Sequence, residues 1–323
     1  MTGTADRLLV AADLSFANDA AVRFAASVAK ALSLSLELVH VVDTAGTEPL
    51  ADSADPAVQV YLRELQKRLT DRLDAQSAGL EAERALVEAL GVPCTSHLTN
   101  GRVWEAILTR GREVDARFVV VGPHSKGPGE RLLGALGEWL LGSTADRVVR
   151  HAHCPVWVVP GVPAGDDVVA PQGPAASLAR IMVAVDFSPA SMRGLAIAAD
   201  LARGAGGSLH LVHLLPHGYR GDSSSPCAED ITSAPSTIVA NDAKARLHRV
   251  ALSAAEGGVT VHEDVRVVNH SFHEELLEAA READATEVVL GSHSRSVLDH
   301  LVLGSTAERM LRRATVPTLV VRG

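Results

Sequence analysis

Short apolar runs alternate with amphipathic segments over the first half of the chain. In each amphipathic segment, apolar residues recur at three- and four-residue spacing, which predicts helices. Strands that alternate with helices and are apolar on both faces predict a parallel sheet covered on both sides. The predicted strands are 8–12, 36–42, 94–98, 118–121 and 156–159, and the predicted helices are 21–32, 62–80, 103–113 and 143–150.

Four segments of the first half recur in the second half, which predicts a tandem duplication. The recurring pairs are RLLVAADLS at Arg7 and RIMVAVDFS at Arg180, LELVHVV at Leu36 and LHLVHLL at Leu209, VVVGPHS at Val119 and VVLGSHS at Val288, and LGST at Leu141 and Leu303. The number of residues between the two members of a pair is the same for the first two pairs, smaller for the third pair and smaller again for the fourth pair. The last decrease indicates an insertion in the first copy between Ser125 and Gly142.

The duplication predicts two domains, residues 1–160 and 179–323, joined by a linker over 161–178 that is rich in glycine, proline and alanine. A net charge of −9 argues against a nucleic-acid-binding surface. No apolar run approaches the roughly 18 residues of a membrane helix, and the N-terminus lacks the character of a signal peptide. Three scattered cysteines do not make a disulfide framework. We therefore expect a cytoplasmic protein.

The candidate chemistry lies in GSHSRSVLDHLVLGST, residues 291–306, which connects an apolar strand to a helix. The first amides of a helix lack internal partners and attract anions, so this connection is a candidate phosphate site. Gly291 and Gly304 would let the backbone approach a ligand, and Ser305 and Thr306 offer hydroxyl groups. The alternative is an S-x-x-E capping box that starts at Ser305 and would begin the helix without any ligand.

Other candidate residues end predicted strands in both copies. Ligands of parallel sheets bind beyond the carboxyl ends of the strands, where the strand order reverses, so this placement favours a binding site over simple capping. The strand-end residues are Asp13, Val41 and Gly122 in the first copy and Asp186, Leu214 and Gly291 in the second copy.

These residues resemble the universal stress protein family in its tandem two-domain form. The resemblance rests on the Asp-x-Ser that ends the opening strand, the LVHV-type second strand, the G-x-x-G-x9-G-S/T loop and the closing P-V-x-V-V strand. It implies two tandem copies of a five-stranded parallel sheet flanked by helices, a Rossmann-like fold of the adenine-nucleotide alpha-hydrolase type. It also implies an internal pseudo-dimer, paired through residues 156–159 and 318–321, and a possible homodimer.

One branch of this family binds ATP through the glycine loop, and the other branch lacks the glycines. The resemblance therefore implies an adenine nucleotide as ligand, ATP with Mg, held at matching positions in both copies. The adenine and ribose would meet the aspartate and the strand-end residue, and the loop would hold the phosphates. The implied contacts are Asp186, Leu214, Gly291, Ser294, Gly304, Ser305 and Thr306 in the second copy and Asp13, Val41, Gly122, Ser125, Gly142, Ser143 and Thr144 in the first copy.

Two departures from the family pattern concern the loop. Its middle glycine is a serine, Ser125 or Ser294, which disfavours positive φ and adds a side chain beside the phosphates. The second copy keeps nine residues between Ser294 and Gly304, whereas the first copy has sixteen between Ser125 and Gly142. We therefore expect the better nucleotide site in the second copy and an altered or empty site in the first copy.

The sequence leaves two main functions open. One is an ATP-binding regulator of the stress response, and the other is a member that acts by protein–protein contacts, with its loops serving only as helix caps. Slow ATP hydrolysis is a weaker third alternative, since no nucleophile with a base and an orienting partner is evident. His151, His153 and Cys154 cluster in sequence but match no closed zinc pattern, so no metal site is predicted.

Overall fold

The computed structural model confirms an α/β fold in which strands and helices alternate in both halves of the chain. It describes residues 6–14, 19–43, 56–122, 141–160, 178–216, 237–292 and 303–322. The first copy contains β1 (Arg7–Ala11), α1 (Asp19–Ala31), β2 (Ser35–Asp43), α2 (Pro56–Ala89), β3 (Cys94–Gly101), α3 (Val103–Glu113), β4 (Phe118–Val121), α4 (Ser143–His151) and β5 (Val156–Val158).

The second copy repeats this order of elements. The predicted strands and the third and fourth helices of the first copy match the structure closely, but α2 is longer than its predicted range. The elements of the second copy are β6 (Arg180–Ala184), α5 (Pro189–Ala205), β7 (Ser208–Pro216), α6 (Thr237–Ala254), β8 (Thr260–Val268), α7 (Phe272–Glu282), β9 (Glu287–Gly291), α8 (Ser305–Arg313) and β10 (Thr318–Val321).

All ten strands that the structure describes belong to one sheet, in the order β3-β2-β1-β4-β5-β10-β9-β6-β7-β8. Within each copy the strands pair in parallel, and β1 lies between β2 and β4 just as β6 lies between β7 and β9. The chain thus moves outward in both directions from its first strand. That reversal of strand order is where the helices on the two sides diverge and leave a crevice.

The two copies join through their last strands, as the resemblance implies. β5 and β10 pair antiparallel, with Trp157 opposite Leu319 at the centre of the pair. Trp157 is fully buried here, and its ring meets Phe24 of α1 edge-on at a centroid separation of 4.8 Å. Because the edge of each of these two strands is covered by its counterpart, the seam protects both edges from pairing with another chain.

Two apolar layers cover the sheet because successive side chains of a strand point to opposite faces. Leu8 and Val10 of β1 face the layer that holds α1, α2, α5 and α6, while Leu9 faces the layer of α3, α4, α7 and α8. Valine, leucine and alanine fill both layers, as the scarcity of aromatic residues requires. In the part of the chain that the structure describes, no helix has the length and apolarity to cross a membrane.

Candidate functional site

A cavity of about 200 Å³ opens at the carboxyl ends of β1, β2 and β4, at the reversal of strand order in the first copy. It is the place where a ligand of a parallel sheet is expected. Ala145 and Ile107, from α4 and α3, contribute apolar walls. The structure brings five of the seven predicted first-copy residues to the wall of this cavity: Asp13, Val41, Gly122, Gly142 and Thr144.

The chain leaves the sheet sharply beside this cavity. Leu14, directly after Asp13, has a φ of 57°, and Phe187, directly after Asp186, has a φ of 60°. Positive φ is uncommon for residues other than glycine, and such conformations concentrate at functional sites. The strained turn therefore recurs in both copies, immediately after the aspartate that the sequence singled out.

The helices that begin at the two glycine loops have no side-chain cap among the described residues. Gly142 is the N-cap of α4 and Gly304 is the N-cap of α8, and neither helix start has a side-chain hydrogen bond to its amides. The capping box predicted as the alternative at Ser305 is therefore wrong, because Ser305 is already the first helical residue. Its hydroxyl cannot accept from the amide three residues on, as a capping residue does.

Glu308, the last residue of that sequence motif, has other partners. Its backbone amide donates to the carbonyl of Gly304 at 2.9 Å, as in any helix. Its carboxylate accepts from Arg312 at 3.0 Å and from Arg150 of the first copy at 3.4 Å. In α4, Asp146 pairs in the same way with Arg150 at 2.9 Å. Both first-turn carboxylates are thus neutralised, which reduces their repulsion of an anion at the helix start.

In the second copy, the Asp-x-Ser motif has a structural role. Asp186 accepts a hydrogen bond from the amide of Ser188 at 2.9 Å, through Oδ1. The Ser188 hydroxyl in turn caps α5 by accepting from the amide of Ser191 at 3.2 Å. These bonds fix the orientation of the Asp186 carboxylate at the end of β6.

Tight packing within the protein favours glycine at position 291. A Cβ at this position would lie 3.2 Å from both the Cβ of Ala190 and the amide nitrogen of Ser191, at the start of α5. The end of β9 is joined to the start of α8, because the amide of Gly304 donates to the carbonyl of Ser292 at 2.9 Å. Close packing with α5 therefore accounts for Gly291 independently of any ligand.

The remaining predicted residues divide into two groups. Ser143 and Ser305 are exposed at the first position of α4 and α8, and Thr144 and Thr306 follow them half-buried. Ser125 and Ser294, the serines that replace the middle glycine, lie outside the described residues. Sequence reasoning did not single out Arg150, which pairs with acidic residues from the starts of both helices, because its partner Glu308 lies 158 residues away.

The cluster of His151, His153 and Cys154 lies away from this site, at the end of α4 that is farther from Gly142. Burial raises the pKa of the Cys154 thiol to about 12, and burial also lowers the pKa of His153. His151 packs beside Trp104, with ring centroids 5.6 Å apart. Cys154 is buried in the apolar layer of α3 and α4, whereas His151 and His153 are exposed.

Comparison with known proteins gives the family. The model of the universal stress protein family matches residues 4–160 and again residues 178–322. The chain belongs to the universal stress protein family.

Two mycobacterial family members resemble the chain over nearly its whole length. A universal stress protein of Mycolicibacterium smegmatis is 29% identical over 324 residues, which cover 98% of this chain and 96% of the relative. A universal stress protein of Mycobacterium tuberculosis is 27% identical over the same coverage. A crystal structure of a universal stress protein from Archaeoglobus fulgidus superposes with a TM-score of 0.64 at 21% identity, covering 99% of both chains. The tandem arrangement is therefore shared with full-length family members.

Proposed function

We propose that the chain is a cytoplasmic regulator that binds an adenine nucleotide, ATP with Mg, at the carboxyl ends of its strands. The observation that carries the proposal is the pair of uncapped helix starts at Gly142 and Gly304. The start of α4 lines the strand-end cavity of the first copy, and the duplicated order of elements gives α8 the equivalent place in the second copy. Phosphate groups are the usual ligands of such helix starts, and a cavity beside Gly142 has room for part of a nucleoside.

The second copy is proposed to hold the nucleotide more tightly. Its loop keeps the nine-residue spacing between Ser294 and Gly304, while the loop of the first copy is seven residues longer. A longer loop has more conformational freedom to lose when it closes on a ligand. The cavity at Asp13 and Val41 supports a second, weaker site rather than an empty one. Replacing Ser294 with glycine should tighten binding in the second copy.

Calorimetric titration of ATP–Mg into ligand-free protein tests the proposal. Gly304→Glu places negative charge and bulk at the start of α8, and Gly142→Glu does the same at α4. Because Gly304 has a φ of −60°, any residue fits its backbone, so Gly304→Ala is the matched control that adds a side chain without charge. We expect Gly304→Glu to remove the tighter binding event and Gly304→Ala to keep it.

Two other results would contradict different parts of the proposal. Loss of the tighter event in Gly142→Glu alone would place the better site in the first copy. No heat with the wild type would contradict nucleotide binding and favour the alternative, a family member that acts by protein–protein contacts.

A further inference from the structure

In both copies, the backbone hydrogen bonds between the first and second strands end in the same way. The amide of Ala12 still donates to the carbonyl of Val39 at 2.9 Å, one residue past β1. The carbonyl of Ala12 instead accepts from a side chain, the Nδ1–H of His40, at 2.6 Å. The described residues of the second copy repeat this arrangement. There the amide of Val185 donates to Val212 at 2.8 Å, and its carbonyl accepts from His213 Nδ1 at 2.6 Å.

The bond from the histidine takes the place of the next backbone hydrogen bond between the two strands, here called the next rung of the ladder. In a parallel ladder, the carbonyl of Ala12 would next accept from the amide of Val41. The pairing of β1 with β2 instead stops at Ala11 and Val39, and that of β6 with β7 stops at Ala184 and Val212. The N–H and C=O of a strand residue point toward the same neighbour, so those of Val41 point to the side that β1 has left.

We infer that His40 and His213 are positioning residues that hold this ladder open. Each imidazole takes the carbonyl that would otherwise close the next rung, and so keeps the N–H and C=O of Val41 or Leu214 available to a ligand. An adjacent donor and acceptor on one backbone fit a planar heterocycle that carries a ring nitrogen beside an amino group, which is the edge of adenine. The identity of the ligand in this inference rests on the proposed function. The missing backbone hydrogen bond between the strands does not depend on it.

The burial of His40 supports this role. His40 is 7% exposed and lies on the same face of β2 as the buried Leu36 and Leu38. Its Nε2 atom is buried and has no hydrogen-bond partner among the described residues. An unpaired buried acceptor destabilises the fold, so an aliphatic side chain would suit this layer better if packing were its only purpose. The bond from Nδ1 to Ala12 is the interaction that an aliphatic residue would lose.

Hydrogen exchange of the unliganded protein tests the open rung without any nucleotide. With His40→Leu, the carbonyl of Ala12 becomes available, and the amide of Val41 should bond to it and exchange at least tenfold more slowly. His40→Asn should retain fast exchange, because its amide nitrogen takes the place of Nδ1. The second copy offers the same test at Leu214 with His213→Leu and His213→Asn. Unchanged exchange of both amides in the leucine variants would overturn the inference.

Measurements of nucleotide binding then test whether the histidines support the contact with the adenine base. In a Gly142→Glu background, His213→Leu should weaken ATP–Mg binding at least tenfold but change the affinity for inorganic tripolyphosphate by less than twofold. His213→Asn should restore most of the ATP affinity. Equal losses for both ligands would overturn the assignment to the base, since general damage to the site would weaken both. If the wild type binds no ATP, the proposed function fails, and the exchange experiment still decides whether the histidines hold the rung open.

Discussion

Gly204 and Ala31 occupy equivalent positions in the two copies, related in the same way as Arg180 and Arg7, and they meet at the contact between α5 and α1. A Cβ on Gly204 would lie 1.9 Å from the carbonyl oxygen of Ala31. Two equivalent positions that touch must lie near the pseudo-twofold axis relating the copies. A symmetric dimer would carry the same residue on both sides. The duplicated chain can instead place glycine on one side and alanine on the other, which allows the helices to approach.

Gly204→Ala should therefore separate these helix ends. The added methyl group meets backbone that cannot rotate away, and overpacking of this kind costs about 1–3 kcal/mol. We expect a lower midpoint in urea unfolding. Gly79→Ala is the matched control in α2, where the new Cβ meets only the side chain of Leu14 at 3.5 Å. It should raise stability by about 0.5–1 kcal/mol, because alanine loses less backbone entropy in a helix. Equal effects of the two variants would contradict the close contact.

Ser188 and Ser305 provide a comparison between a serine that caps a helix and one that does not. Ser188 is buried and accepts from the amide of Ser191, so Ser188→Ala should cost about 1–2 kcal/mol of unfolding free energy. Ser305 makes no capping bond, so Ser305→Ala should change stability by less than about 0.5 kcal/mol. Urea titrations of both variants measure this difference. A large loss of stability for Ser305→Ala would revive the capping interpretation.

Glu287 should make stability depend on pH. It is 1% exposed at the start of β9, and burial raises the pKa of its carboxyl to about 7, although a bond from the Thr286 hydroxyl at 2.5 Å opposes the rise. The folded state then holds a proton that the unfolded state releases near pH 4.5. The contribution of Glu287 to stability is therefore greatest below that pH and falls until about pH 7.

Glu287→Gln removes this titration. Between pH 4.5 and about pH 8, the stability of the variant relative to wild type should rise by roughly 2–3 kcal/mol, following about 1.4 kcal/mol for each pKa unit. Urea unfolding at both pH values measures the change. A constant difference between the two proteins across this range would show that the carboxyl titrates at the same pH in the folded and unfolded states.

Arg322 connects the end of the second copy to α4 of the first copy. Its guanidinium donates to the carbonyls of Arg150 and Ala152 at 2.6 and 3.1 Å, and burial lowers its pKa. Arg322→Leu should cost about 1–3 kcal/mol in urea unfolding, because the last carbonyls of α4 lose a charged donor. The control is Arg68→Leu, which removes a solvent-exposed pair with Glu64 and should cost less than about 0.5 kcal/mol. Equal losses in the two variants would contradict a special role for the bonds of Arg322.

Local patterns predicted the elements well and their ends less well. The predicted strands fall within a few residues of the observed ones, because a short apolar run bounded by turn residues is visible in any short window. The helix predicted over 62–80 extends to Pro56–Ala89. Its outer turns carry too few regularly spaced apolar residues to reveal a period. The capping box failed for a related reason. The sequence does not distinguish between two adjacent residues as the N-cap, and the structure has Gly304 there, one residue before Ser305.

The strand-end site could be predicted only in part. The duplication identified Asp13, Val41, Gly122 and Gly142 as recurring positions, and the structure brings them to one cavity. His40 and His213 recur as well, but recurrence inside an apolar strand does not distinguish a positioning histidine from an ordinary core histidine. Only the register of β1 against β2 shows that the Nδ1 bond replaces a backbone rung.

The sequence by itself determined the duplication, the alternation of strands with helices and the residues that end each strand. These properties follow from spacing along the chain, which fixes which side chains share a face. The tertiary structure decided the rest: the antiparallel seam between Trp157 and Leu319, the contact of Gly204 with Ala31, and the hydrogen-bond partners of Glu308 and His40. Each of these depends on the distance between groups that lie far apart in the chain, and that distance is set only when the elements pack together.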